Sequence, residues 1–470
     1  MDSLIDQHLA RLKKDAEDRE AAREAARRVA NTYFETPGIF TVTRERVHEL
    51  APQTNDFESA KAALLHFDFE QATTASFLEL IFTSALTLGV SDIHYEPEAA
   101  AVRIRFRLDG LLYDAGQVPL SFYHLVVSRL KIIAGMQLNT AKPHDGRFTI
   151  ALPHTEVAVR ASSTPSQYGE TVVLRVLDPH RIALSLTNLG LRTDDLVIIR
   201  EELTKPNGMI LNTGPTGSGK TTTLYAFLTE RARPEIKIIT IEDPIEYQLS
   251  GIEQTEVHPD LGYSFSNGLR SLVRQDPDIL FIGEIRDQET ADIAIQAALT
   301  GHLVFSTIHA NEAAGAIPRL FDMNIKETSI GPALNIIMAQ RLVRRLCDQC
   351  KKPKVVSAEE QERYKAFVGA LPQRVNRNIL TTSGFYEPVG CSSCRTFGYR
   401  GRVGIFELLR VDEEMEAVIE KRASETEIRH FAIARGMVTM QQDGIIKALC
   451  GITTLEEVAA ATGQLPFSSF

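Results

Sequence analysis

The sequence predicts an α/β protein whose larger part is an open parallel sheet with helices on both faces. Three observations carry this. The run Gly214-Pro215-Thr216-Gly217-Ser218-Gly219-Lys220-Thr221 has its glycines, lysine and threonine at the spacing of a phosphate-binding loop. That loop lies between a buried apolar run, Met209-Ile210-Leu211, and a helical stretch from Thr221 to Leu228. Four strand-like runs (209–211, 237–241, 279–282 and 303–307) alternate with helical segments between 200 and 345, as buried parallel strands do. A chain of 470 residues is too long for one core, and residues 71–180 read as a second, smaller α/β domain.

Taken in order, residues 1 to about 35 are dense in charge, with a thin apolar stripe at Leu4, Ile5, Leu9 and Leu12. They read as one exposed helix ending near Pro37-Gly38, either a solvated face or a docking arm. Residues 40–70 give no clear pattern. Ala75 to Leu88 has helical apolar spacing, with Gly89 as its C-cap. From Ala101 to Leu108, Val102, Ile104, Phe106 and Leu108 alternate with Arg103, Arg105 and Arg107, which is a half-buried strand with an arginine face. Asp109-Gly110 turns into a second strand. A helix around 122–134 and strands around 146–152, 156–160 and 171–177 complete the domain. Residues 178–195 read as a connector. The tail from about 400 to 470 reads as helical, with Gly436 and Gly444 as breaks.

The composition is that of a soluble globular protein, with 44% hydrophobic and 24% charged residues. No apolar run approaches the ~18 residues needed to span a bilayer, and the N-terminus lacks the apolar stretch of a signal peptide. The expectation is a cytoplasmic protein that reaches a membrane only through partners. A net charge of −10 argues against a general nucleic-acid binder.

A phosphate-binding loop works because glycines let backbone N–H groups curl around a phosphate at the positive end of a helix. Residues 214–222, including Thr222 after the motif proper, are the candidate nucleotide contacts. Lys220 brings a charge to the β/γ-phosphates and the Thr221 hydroxyl is a ligand for Mg²⁺. Carboxylates must then hold Mg²⁺ and align water. Glu242, in Thr240-Ile241-Glu242-Asp243-Pro244-Ile245-Glu246, and Glu284, closing the apolar run from Asp278, both follow strand ends, where ligands bind in such sheets. Either alone also reads as a surface cap. Glu284 is assigned to the Mg²⁺/γ-phosphate side and Glu242 to water. His302 and His309 flank the strand 303–307 and are either phosphate sensors or ordinary surface histidines.

Four of the five cysteines form two CxxC pairs, Cys347/Cys350 and Cys391/Cys394. Paired knuckles of thiolates favour tetrahedral Zn²⁺, and four cysteines leave no open position for catalysis. A redox pair is the alternative. Cys450 reads as a small core residue.

These pieces together resemble the secretion ATPases of the type II secretion and type IV pilus-assembly class. The resemblance spans residues 70–465. It rests on SDIHYEP at 91–97, FRLDG at 106–110, HDGR at 144–147 and GPTGSGKTTTLY at 214–225. TIEDPIEY at 240–247, IGEIRD at 282–287, GHLVFSTIHAN at 301–311 and the two CxxC pairs complete it. It implies an N-terminal helical extension at 1–70, a PAS-like α/β domain at 71–180 and a RecA-like P-loop NTPase core at 181–345. A four-cysteine zinc element at 346–400 and a helical C-terminal domain at 401–470 follow. It further implies ATP and Mg²⁺, a homo-hexamer, and inner-membrane platform proteins of a pilus or secretion machine as partners. Arginines of the smaller domain are lent to the nucleotide in that class; Arg103, Arg105, Arg107 and Arg129 are the candidates, Arg107 first, and His309 belongs to its histidine box. A further N-terminal docking domain of longer relatives is expected to be missing or reduced. The four cysteines favour assembly or secretion over the alternatives, a retraction or DNA-transfer ring ATPase or an ATP-binding scaffold with little turnover.

Overall fold

The computed structural model describes residues 38–138, 142–178, 185–378 and 384–465. The charged helix expected at the N-terminus lies outside the described residues. The chain divides into two units, Met1–Pro179 and His180–Phe470.

The first unit is a seven-stranded sheet in the order β1-β5-β6-β7-β2-β3-β4. Its strands are β1 (Ile39–Thr41), β2 (Asp92–Pro97), β3 (Val102–Leu108), β4 (Leu111–Val118), β5 (His144–Leu152), β6 (Thr155–Ser166) and β7 (Gly169–Leu177). All neighbours are antiparallel except β1 with β5. β3 alternates as its sequence requires, with Val102, Ile104, Phe106 and Leu108 buried. The helices Thr74–Leu88 and Leu120–Ile133 supply Phe77, Phe82 and Phe122 to the buried side. Residues 40–70, which showed no pattern, contribute β1 at the sheet edge and the short helices Arg44–Leu50 and Phe57–Leu65. They differ from the expected N-terminal extension because they belong to this sheet, with Phe40, Phe57 and Leu64 buried. β1 and the helix Arg44–Leu50 each bury a single residue and so show no period, whereas the helix Phe57–Leu65 buries Phe57, Ala60 and Leu64 at helical spacing over little more than two turns.

The second unit contains a seven-stranded sheet in the order β10-β9-β11-β12-β8-β13-β16. Its strands are β8 (Gly208–Thr213), β9 (Ile238–Glu242), β10 (Glu253–Glu256), β11 (Ile279–Ile282), β12 (Leu303–Ile308), β13 (Leu334–Leu346) and, after a small ladder of β14 (Lys352–Pro353) with β15 (Tyr386–Glu387), β16 (Tyr399–Arg410). The strands from β10 to β13 are parallel and β16 is an antiparallel edge. Helices cover both faces, and each face has its own apolar core. The expected strands 209–211, 237–241, 279–282 and 303–307 correspond to β8, β9, β11 and β12.

Three expectations change. The tail is not helical from 400: β16 pairs with β13 from Arg410 to Tyr399, and helices begin only at Glu413. β13 and β16 escape a pattern reading because β13 is rich in Ala, Leu, Met, Gln and Arg, all good helix formers, while glycines interrupt β16. Gly444 does not break a helix but lies within Met440–Leu449, packed on Val458. The described part of the expected connector is a core element, with Leu186, Leu189 and Leu191 buried in the cluster around Ile199, Ile210 and Phe227.

Candidate active site and metal centre

β8 ends at Thr213 and the helix Lys220–Arg231 begins directly after Gly219, so the loop 214–219 crosses the carboxyl end of the parallel strands. Pro215, Thr216 and Gly217 are exposed on its crest, Thr221 and Thr222 are half-buried, and Ser218 is buried with its hydroxyl unpartnered. The first backbone N–H groups of the helix have no intrahelical acceptor and point at the loop. Lys220 Nζ donates to the carbonyls of Gly214 at 2.8 Å and Pro215 at 3.2 Å. Burial lowers its pKa, and nearby Glu284 opposes that shift.

Glu284 follows β11, and its backbone neighbourhood is pinned from both sides. The Gly283 N–H donates to Ile241 of β9, and the Ile285 N–H to Thr307 of β12. Its carboxylate, only 15% exposed, accepts from Arg286 Nη2 at 2.5 Å and lies 3.2 Å from His309 Nε2. His309 itself is half exposed and bracketed by Thr213, whose hydroxyl accepts from Ala310 N at 2.7 Å and lies 2.8 Å from the Ile308 carbonyl. The structure therefore brings Lys220, Glu284 and His309 together beside the loop. His302 precedes β12, at its opposite end, with Nδ1 against the Ala297 carbonyl, and takes no part.

Glu242 ends β9 next to Glu284 in the sheet, but its side chain turns inward and is 2% exposed. It accepts from the Tyr225 hydroxyl, from Thr240 Oγ1 at 2.7 Å and from Gln254 Nε2 at 3.1 Å. Burial raises its pKa against those three hydrogen bonds. The two carboxylates that the sequence paired thus differ: Glu284 faces the loop, and Glu242 is closed into a network that includes the loop's own helix through Tyr225. Tyr225, Gln254, Thr213 and Arg286 were not singled out from sequence. Tyr225 and Arg286 lie within the quoted motifs, whereas Gln254 has no local signal.

The arginines of the first unit are engaged within it. Arg103 pairs with Asp114 at 2.5 Å, Arg105 with Glu96, Arg107 with Asp92 at 3.2 Å, and Arg129 donates to Thr74 at 3.2 Å. Cross-strand register sets Arg107 directly opposite Asp92, while Arg103 and Arg105 reach diagonally, Arg103 lying opposite Glu96 and Gln117 and Arg105 opposite His94 and Asp114.

Cys347 follows β13 immediately, and Cys391 and Cys394 form a turn just before β16. The antiparallel pairing of these two strands carries the two knuckles to one place. All four Sγ atoms lie within 4.8 Å of one another. Cys347–Cys391 is 3.9 Å, Cys350–Cys394 3.7 Å and Cys391–Cys394 3.7 Å. Thiolates around one Zn²⁺ at about 2.3 Å would be spaced about 3.8 Å apart, so this donor set fits. Backbone N–H groups of Gly390, Cys391 and Gly398 donate to the sulfurs at 3.1–3.3 Å, which favours thiolate and fixes its orientation. The cysteines form no disulfide.

Among the described residues no helix is long and apolar enough to cross a membrane. The family described as Type II/IV secretion system protein matches residues 69–460. The type IV pilus assembly ATPase PilB of Myxococcus xanthus (strain DK1622) is 42% identical over 86% of this chain and 69% of its own length. Type II secretion system protein E of Dickeya dadantii (strain 3937) is 42% identical over 84% of this chain and 77% of its own. The crystal structure of the pilus retraction motor PilT with bound ADP superposes with a TM-score of 0.55 at 27% identity, covering 82% of this chain and 96% of that one. With the family's match spanning both units and the phosphate loop, this chain belongs to the type II/IV secretion system protein family.

Proposed function

We propose that this chain is the ATP-hydrolysing subunit of a homo-hexameric motor that powers assembly of a type IV pilus or a type II secretion pseudopilus. Platform proteins of that machine would hold it at the inner membrane. The observation that carries the catalytic part is the convergence of Lys220, Glu284 and His309 at the carboxyl end of the sheet, beside the phosphate loop. The 42% identity to a pilus assembly ATPase and to a type II secretion protein supports the choice of machine.

In this reading the backbone N–H groups of residues 217–222 hold the phosphates. Lys220 exchanges its loop carbonyls for β/γ oxygens, and the Thr221 hydroxyl and Glu284 hold Mg²⁺. That ion supplies charge neutralisation on the phosphate oxygens. Arg286 and His309 fix the direction of the Glu284 carboxylate, so Glu284 also orients the attacking water. Glu242 links the acidic run 240–247 to the loop's helix, and it aligns water itself only if its bond to Tyr225 or Gln254 is exchanged. The test is ATP turnover by the purified chain with Mg²⁺. Lys220→Ala is expected to remove nucleotide binding and at least about 99% of turnover; turnover that survives Lys220→Ala contradicts the assignment.

Cys347, Cys350, Cys391 and Cys394 hold one structural Zn²⁺, which staples the open end of the β13/β16 ladder. Elemental analysis is expected to give one zinc per chain. Cys391→Ser is expected to lose it and to lower the thermal midpoint by roughly 5–10 °C, as a loss of about 3 kcal/mol would. A metal-free chain with the same midpoint would refute the staple.

A further inference from the structure

β13 runs beside β8, with Ala339 opposite Thr213. The next residue, Gln340, lies beneath the phosphate loop and is 2% exposed. Its side-chain oxygen accepts from Asn212 Nδ2 at 3.1 Å and from Thr223 Oγ1 at 2.9 Å. Asn212 lies on β8, before the loop. Thr223 lies on the helix after it, and both are fully buried. One amide thus ties the strand that enters the loop to the helix that leaves it.

The loop is also built around this residue. Gly214 has φ +143°, and a Cβ there would stand 2.4 Å from the Gln340 carbonyl oxygen. Gly219 has φ +88°, and a Cβ there would stand 2.8 Å from Gln340 Nε2. Real Cβ atoms do not approach backbone so closely, so Gly214 is required by the Gln340 main chain as well as by its own dihedral, and a side chain at Gly219 would displace the Gln340 amide. Gln340 does not face the crest of the loop, where Pro215, Thr216 and Gly217 are exposed.

We propose that Gln340 is a positioning residue for nucleotide binding. It sets the width of the phosphate loop by fixing Asn212 and Thr223 to one acceptor, with its main chain as the floor under Gly214. This rests on the reading of the loop as the nucleotide site. A loop whose N–H groups are held in place binds phosphate without first paying to order them. Loosening it weakens ground state and transition state alike, which raises KM and leaves kcat nearly unchanged.

The test compares Gln340→Met, Thr223→Val, Thr223→Ser and Lys220→Ala in the full chain. ATP kinetics and equilibrium binding of a fluorescent ADP are both measured. Gln340→Met keeps the length but loses the acceptor, and is expected to weaken ADP binding and raise KM about tenfold, equivalent to about 1.4 kcal/mol, with kcat within threefold. Thr223→Val is expected to raise KM about fivefold, and Thr223→Ser, which keeps the hydroxyl, to return it to within twofold. If Gln340→Met does not fold, the valine and serine variants decide. KM within twofold of wild type in Thr223→Val, or the same KM in both Thr223 variants, overturns the proposal. If Lys220→Ala also binds ADP normally, the nucleotide reading itself has failed. If Lys220→Ala loses binding and the others do not, only the role of Gln340 has.

Discussion

Glu284→Gln is expected to lower kcat for ATP hydrolysis by about 10²–10³-fold while changing KM for ATP by less than about threefold. The substitution keeps size and the acceptor facing His309 but removes the charge. That charge is the feature the site is built to hold. One oxygen is fixed by Arg286 and the other faces His309, the flanking backbone is bonded to β9 and β12, and the group is close enough to Lys220 to act on its pKa. Nucleotide binding depends on the loop and Lys220 and is therefore largely spared, which separates this variant from Lys220→Ala. Steady-state turnover with a binding measurement checks it. A fall in kcat of less than tenfold would remove Glu284 from the reaction.

The second large effect is on stability. Asp443→Asn is expected to destabilise the second unit by about 3–5 kcal/mol, because it leaves buried cations without their counter-charge. Asp443 is fully buried and accepts from Arg192 Nη1 at 2.7 Å, from Lys447 Nζ at 2.5 Å and from the Phe406 N–H at 2.8 Å. Arg192 also pairs with Asp195 at 2.6 Å, and Arg374 reaches Asp195 at 2.7 Å. Three cations and three carboxylates (Arg192, Arg374, Lys447, Asp194, Asp195 and Asp443) thus join four separate stretches. These are the start of the helix Thr193–Leu203, the insertion between the CxxC pairs, β16 and the helix Met440–Leu449. Burial alone would raise the Asp443 carboxyl, but Lys447 and Arg192 outweigh it and hold it below the ordinary range. A folded value below the unfolded one contributes stability above about pH 4, and this is lost as pH falls through the folded value. The gap between wild type and Asp443→Asn in urea denaturation should therefore be full at pH 7 and shrink below about pH 4. A gap under about 1 kcal/mol at pH 7 would show that the hub adds little.

What the sequence disclosed follows from distance along the chain. The phosphate loop is legible because strand, glycines, lysine and helix all fall within residues 208–231. β3 is legible because one face is buried and the other carries Arg103, Arg105 and Arg107, so its period of two is written in the residues. Glu284 is legible as the charge ending an apolar run. The direction of the Glu242 side chain is not, because it is set by Tyr225 and Gln254, 17 and 12 residues away. Gln340 is still less legible, since its partners are 128 and 117 residues distant. β13 and β16 are strands because they pair with each other and β13 with β8, a tertiary gain that overrides the helical preference of β13. The CxxC spacing disclosed the knuckles, while their meeting point depends on that same pairing. Arg103, Arg105 and Arg107 stood out in composition, but their carboxylate partners became visible only once β3 was placed between β2 and β4.

Whether ATP hydrolysis by this chain drives an assembly machine is decided in the host cell. The most direct measurement places Glu284→Gln in the host cell and scores surface pili by microscopy and exoproteins in the medium. One of the two is expected to be lost while the protein remains at wild-type level; loss of pili identifies a pilus-assembly motor and loss of exoproteins a type II secretion motor. Normal pili together with normal secretion would show that turnover by this chain drives neither machine.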